Sequence, residues 1–460
     1  MSVFKPFNVL VPKAEFEQLW PVIACDQFTS QPEYWRQLRE KIGGAPSSIH
    51  CIIPEAELSS ATDQTYAAIR DTMKSYIDKE IFREYQNSFV YVERTLMNGE
   101  VRAGIVGVID LEAYDYHNDS KAPIRATERT VIERIPPRLK IRKEALLELS
   151  HVLLLCDDER MSVIEPLRSE VKTKLYEMDL LQGGGHVTGW LVDGDAATRL
   201  QDRLEAYCRR KLAESDDLLF AVGDGNHSLA AAKAYYEDLK TTIKTSCAAP
   251  GADSSAAAGD SCAAPGAKST DRAALSRARY AMVELENIYS PVQKLEPIHR
   301  LLTGVDVDHV LAFLKENCCV EGGYPVKWVA GDHEGIIYLD VSSSEPPVYV
   351  LQKALDEFLE GGAGRGADRD GHNNGAGRGA DRDGHNKGAG GVTKGELDYI
   401  HGEGALRKLA KQENTIGFIL QGISKYNLFN AIAEDGAFPR KSFSMGEAKE
   451  KRYYIESRRL

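Results

Sequence analysis

Residues 218–237 read LLFAVGDGNHSLAAAKAYYE. The apolar run LLFAV, 218–222, has the length and character of a buried strand. It stops at Gly223-Asp224-Gly225-Asn226-His227, and an Ala-rich helix former follows at once. The stretch therefore predicts a strand, a tight turn and a helix. Gly223 and Gly225 supply positive φ, and Asn226 or Ser228 supplies the N-cap. The first turn of such a helix leaves backbone N–H groups without intrahelical partners and carries partial positive charge. Gly225, with no side chain, lets an anion approach, phosphate above all. Asp224 offers a carboxylate for Mg²⁺ or for a hydroxyl proton, and His227 a donor or proton shuttle. A plain structural turn would use the same Gly, Asp and Asn, but it needs no imidazole. The Gly-Lys-Ser/Thr ending of a Walker A loop is absent, and so is a Rossmann fingerprint.

Outward from this junction the chain interleaves strands and helices. Residues 88–115 predict two strands around Asn98-Gly99, a strong hairpin signal. HVLLLCDDE is a short buried strand. Residues 189–215 predict a strand, an Asp-Gly-Asp turn and a helix with Leu200, Leu204 and Leu212 on one face. ARYAMVELENI, GIIYLDV, PVYVLQ and NTIGFILQGIS read as strands. HVLAFLKENCC and KYNLFNAIAEDG read as helices, the latter stopped by Gly436. The expected fold class is α/β or α+β with a mixed sheet.

Two segments break the pattern. Residues 245–272 carry SCAAPGA twice, and residues 361–391 carry GRGADRDGHN twice. Both are poor in apolar residues and read as disordered, low-complexity insertions. The body is then 1–244, 273–360 and 392–460, a single unit with room for two subdomains.

The chain of 460 residues can bury a sizeable core, and 43% hydrophobic with 27% charged residues is globular in character. A net charge of −12 argues against a nucleic-acid coat protein, which shows a basic face. No apolar run is long enough for a membrane span, and no signal peptide is read. The 8 cysteines form no C-x-x-C pair, which suggests reduced thiols and a cytoplasmic setting.

Two further clusters could add charge to the turn. In IRATERTVIERIPPR, 124–138, charges at i,i+4 spacing suit a solvated helix face. The alternative is that Arg125 and Arg129 clamp phosphate oxygens while Glu128 acts as a base. In FPRKSFSMGEAKEKRYY, Arg440, Lys441, Lys451 and Arg452 accompany aromatics that suggest packing back on the body.

FKPFNVLVP near the start, RATERT at 125–130, FAVGDGNHSLAAAK at 220–233 and PRKSFS near the end together resemble the domain-of-unknown-function 1015 family, its clostridial-type branch above all. The central motif is similar to that of the ParB/sulfiredoxin superfamily, whose members include CTP-hydrolysing DNA clamps, sulfiredoxins and an ADP-dependent free-serine kinase. The family motif is Asp-Gly-His-His-Arg. Here Asp224, Gly225 and His227 match, while Asn226 replaces the first His and Ser228 the Arg. The resemblance implies a ParB/sulfiredoxin-like core and a nucleotide-dependent phosphotransferase, a kinase of free serine or a similar hydroxyl compound, using ATP or ADP with Mg²⁺. Gly225, Asn226, Ser228, Arg125 and Arg129 would bind phosphate. Asp224, His227 and Glu128 would be catalytic, with Asp224 on the metal. The alternatives are a non-catalytic nucleotide or metabolite-binding protein and a ParB-like DNA-binding protein. The latter lacks a helix-turn-helix signal. A sulfiredoxin-like thiol reaction is excluded, because Asn226 stands where its cysteine would be. The expected partners are a nucleotide and a small molecule, with no membrane; the oligomeric state stays open.

Overall fold

The computed structural model describes residues 3–29, 31–130, 132–214, 217–248, 269–341, 346–361, 395–439 and 441–460. Most of both low-complexity segments, with His372 and His385, and also Arg440, lie outside them. What is described of 245–272 is helical: Asn226–Ala248 runs into it and Ser269–Ala278 leads out. The chain divides into two compact units. The first contains 1–295, 424–440 and 444–460; the second contains 296–423 and 441–443.

The first unit is built on a mixed sheet of 13 strands. Its central path runs Ile124–Ala126, Phe220–Asp224, Leu153–Cys156, Tyr280–Asn287, Val101–Asp110, Phe82–Thr95, Phe7–Pro12, Ser457–Arg459, Leu147–Leu149. Phe220–Asp224 is parallel to Ile124–Ala126 and antiparallel to Leu153–Cys156. The predicted hairpin is present, with Gly99 at φ 84 in its turn. Alternate residues enter two cores, one on each face. Phe89, Tyr91, Ile105 and Ile109 join Leu154, Phe220 and Val222. Val90, Val92, Val106 and Val108 join Val9, Trp35 and Tyr453. Each such side chain contributes about 1.5–3 kcal/mol of transfer free energy. Tyr280–Asn287 is buried along nearly its whole length, so its Glu284 and Glu286 lie inside and are paired with arginines.

Helix Gly194–Glu214 buries Ala197, Leu200, Leu204, Tyr207 and Cys208. Leu212, expected on that face, is 49% exposed. Twelve residues beyond Leu200, at roughly 100° each, it points about 120° away. In the second unit an antiparallel sheet carries helices Val307–Asn317, Pro347–Gly361 and Glu403–Leu409. PVYVLQ, expected as a strand, opens the helix Pro347–Gly361. Its β-branched residues mislead locally. Buried Val348, Leu351 and Leu355 show the helical period once the window is widened, and Pro347 suits a first turn.

Candidate functional site

The 220–233 stretch folds as expected in outline: strand Phe220–Asp224, then helix Asn226–Ala248. Leu229 N donates to Gly225 O at 3.0 Å, so Gly225 itself occupies the N-cap position, not Asn226 or Ser228. Gly225 has φ 81, and a Cβ there would sit 3.0 Å from Val152 Cα. Glycine is thus required twice, by conformation and by space. Gly223 is different. It adopts no positive φ; it lies in a β-bulge against Leu153–Leu154, and a Cβ would meet Met445 Sδ at 2.4 Å. The bulge re-aims Asp224 at the mouth of the turn.

Asp224 Oδ1 accepts Gly225 N–H at 3.0 Å, and Oδ2 lies 3.2 Å from Lys451 Nζ. The Lys451 side chain is only 7% exposed. Arg94 holds it there from behind: it donates to the carbonyls of Gly184, Lys449, Glu450 and Lys451. The C-terminal segment therefore packs back on the body and adds a cation to the turn. Of its other charges, Arg452 turns inward to Glu284 and Glu456, at 2.6 and 2.8 Å, Lys441 belongs to the second unit, and Arg440 lies outside the described residues. Asn226 Oδ1 is buried without a hydrogen-bond partner.

Ser228 faces a residue that sequence reasoning missed. Its Oγ is 3.4 Å from His151 Nε2. Tyr454 lies 2.8 Å from His151 Nδ1, and its hydroxyl accepts Cys25 N–H at 3.2 Å. On the other side of the ring, Nε2 faces Ser228 and lies 3.8 Å from Asp26 Oδ2. Burial alone would raise the Asp26 carboxyl. His151, a hydrogen bond from Gln27, Lys451 and Arg138 outweigh it and hold the group below its ordinary value. The Cys25 thiol is pushed up to about 12, by burial first and then by Asp26, so it is no nucleophile at neutral pH. His151, Ser228, Tyr454 and Cys25 line a partly open cavity. Nothing near His151 in sequence marks it; it flanks an apolar strand as a surface histidine would. The aromatic C-terminal tail was the available signal for Tyr454.

The 124–138 cluster is no single helix face. Ile124–Ala126 is a strand, and the helix starts at Ile135, where Pro136 and Pro137 fit a first turn. Arg125 pairs in register with Ala221, is 3% exposed and donates from Nε to Ala122 O at 2.9 Å. Thr127 Oγ1 donates to Val222 O at 2.6 Å, and Phe438 bridges 127–129 through Thr127 O and Arg129 N–H. Glu128 thus lies two residues past Ala126 as Asp224 lies two past Val222, its partner in register. Asp224, Gly225, Asn226, His227 and Ser228 share one turn, with Arg125, Glu128 and Arg129 on the neighbouring strand and its continuation.

Among the described residues no three His, Cys, Asp or Glu side chains gather as a metal cage. Asp224 can still serve as one carboxylate ligand of a Mg²⁺ carried on substrate phosphates, the ordinary arrangement for that ion. No helix of the described residues is long and apolar enough to cross a membrane.

Fold and turn define a mixed α/β protein with a large mixed sheet and a glycine-dependent strand-to-helix junction at Asp224–Ser228. The chain belongs to the family described as a protein of unknown function (DUF1015), whose model matches residues 4–431. No curated protein matches it significantly in sequence. Among solved structures it is distantly similar to a free serine kinase in complex with AMP, at 11% identity and a TM-score of 0.35, over 76% of this chain and 90% of that one. It is similar to SbnI with a C-terminal truncation from Staphylococcus aureus at 9% and 0.34, over 76% and 85%. A conserved hypothetical protein from Pyrococcus furiosus gives 10% and 0.33, over 77% and 94%.

Proposed function

We propose that this protein binds the phosphates of a nucleotide, ATP or ADP, at the Asp224–Ser228 turn and passes a phosphoryl group to a small hydroxyl compound such as free serine. The reading takes the core as ParB/sulfiredoxin-like and the protein as cytoplasmic. One observation carries it: Lys451 Nζ, on a largely buried stem, stands 3.2 Å from Asp224 at the N-terminus of a long helix. The motif of the family has an arginine where this chain has Ser228. Lys451 supplies a cation to the same turn from the far end of the sequence.

Phosphoryl transfer needs positioning and charge neutralisation more than covalent help from the protein. First-turn N–H groups and Lys451 accept the phosphate charge, with Arg125 and Arg129 on the adjacent strand as further cations. Asp224 would hold Mg²⁺, which would supply charge neutralisation to the bound phosphates. Glu128 takes the hydroxyl proton as the acceptor oxygen attacks, and His227 donates to the departing phosphate oxygen.

The test is a thermal-shift titration with ADP, ATP and CTP, with and without Mg²⁺, followed by transfer to serine read by phosphorus NMR. Asp224→Ala and His227→Ala should each lower turnover by about 10²-fold or more. Unchanged turnover in both would sink the assignment. A second reading, a non-catalytic nucleotide sensor, is favoured by the ion pair that already engages Asp224. Binding without product formation supports it. Duplex binding in a low-salt gel shift would revive the DNA-binding alternative.

A further inference from the structure

The cavity reached by Ser228 and His151 has a second charged wall, from helix Ile135–Glu144 and strand Leu147–Leu149. Glu55 there is shared: Oε2 takes Arg138 Nη2 at 2.8 Å, and Oε1 lies 3.5 Å from Arg134 Nη1. Glu148 is shared: Oε1 takes Arg142 Nη1 at 2.6 Å, and Oε2 takes Arg458 Nε. Burial works to raise the Glu148 carboxyl, but Arg142 and Arg458 outweigh it and keep it below the ordinary range. Each of the two carboxylates thus faces two guanidiniums, which leaves this wall net positive.

Arg142 also has donors to spare. Its Nε and Nη2, which form one edge of the guanidinium plane, are buried and make no hydrogen bond. An unsatisfied edge of this kind is rare in a protein interior, and two parallel N–H groups match the two oxygens of a carboxylate. Apolar side chains, Met73, Ile141 and Leu229 among them, line the same cavity, as do polar Ser228 and His151.

We propose that the cavity binds a small hydroxy acid, its carboxylate on the Nε/Nη2 edge of Arg142, reached by a small turn of that side chain. Its hydroxyl faces Ser228 and His151. A carboxylate on the ligand answers the net positive charge of that wall. The binding claim rests on the cavity alone; the acid's role as phosphoryl acceptor rests on the function proposed above.

The experiment is calorimetric titration of the full chain with glycerate and 3-hydroxybutyrate, their neutral amides and inorganic phosphate. The acids should bind, with the amides at least about tenfold weaker. Arg142→Gln should weaken the acids at least about tenfold, with Arg142→Lys losing less, while the thermal shift by ADP stays as in the wild type. Amides that bind as well as acids, acids that fail to bind at millimolar concentration, or free phosphate that binds as tightly as the acids would each overturn the proposal. An absent ADP shift with intact acid binding would instead refute the nucleotide reading and leave the cavity assignment standing.

Discussion

At the scale of the residue, Gly225 shows how much a turn depends on one missing side chain. Its φ of 81 and the 3.0 Å approach to Val152 both resist a Cβ. Gly225→Ala should cost on the order of 1–3 kcal/mol, read from urea denaturation. An unchanged midpoint would contradict the geometry. The requirement was legible in sequence, because strand, glycine and helix former are contiguous. The role of Gly223 was not, because Met445 comes to it from more than two hundred residues away. His151 and Tyr454 were hidden for the same reason: each is ordinary in its own neighbourhood, and only the fold brings them to 2.8 Å. Lys451 was visible as part of a basic tail, but nothing local singled it out from Arg452, which turns the other way.

At the scale of the element, the informative strand is Ser457–Arg459. It pairs with Phe7–Pro12 on one side and Leu147–Leu149 on the other, and Arg458 anchors it to Glu148. Removing residues 448–460 would open the sheet between those strands, leave Glu284 buried without Arg452 and leave Glu148 with Arg142 but not Arg458. Breaking a buried pair costs about 3–5 kcal/mol, a large part of the stability of a typical domain. The truncated chain should be insoluble or lack a cooperative thermal transition by circular dichroism; a normal melt would refute this. Long periodic elements such as Gly194–Glu214 were readable in advance. The 2–3-residue strands, including this one, were not, because they owe their conformation to partners rather than to propensity.

At the scale of the whole molecule, the first unit carries a buried ionic network. Glu286 faces Arg102 at 3.0 Å and accepts from Gln293; burial above all raises its carboxyl to about 7, with Arg102 opposing and Glu284 adding to the shift. Burial raises Glu456 as well. A raised carboxyl holds its proton more tightly in the folded state. Its contribution is complete below about pH 4.5 and is lost as pH climbs through 7. Asp26 and Glu148 act in the opposite sense, contributing above the ordinary carboxylate range and losing that contribution in acid. Urea midpoints at about pH 5 and 8 should therefore differ, and Glu286→Gln should flatten that part of the slope. A slope unaltered by the substitution would rule the group out. None of this was readable from composition, since a net charge says nothing of which charges lie inside.

The pairing of Ser457–Arg459 with Phe7–Pro12 has a consequence for how the molecule comes into being. A ribosome delivers Asp224 and the helix behind it more than two hundred residues before Lys451 and Tyr454. Throughout that interval the nascent chain holds half a site and an unfilled gap between strands. Closing the sheet waits on the final residues and on contacts of very high sequence separation, which makes it a slow step. A chain broken off before Lys451 lacks the cation at Asp224 and the strand Ser457–Arg459, and the strand edges it leaves exposed invite aggregation.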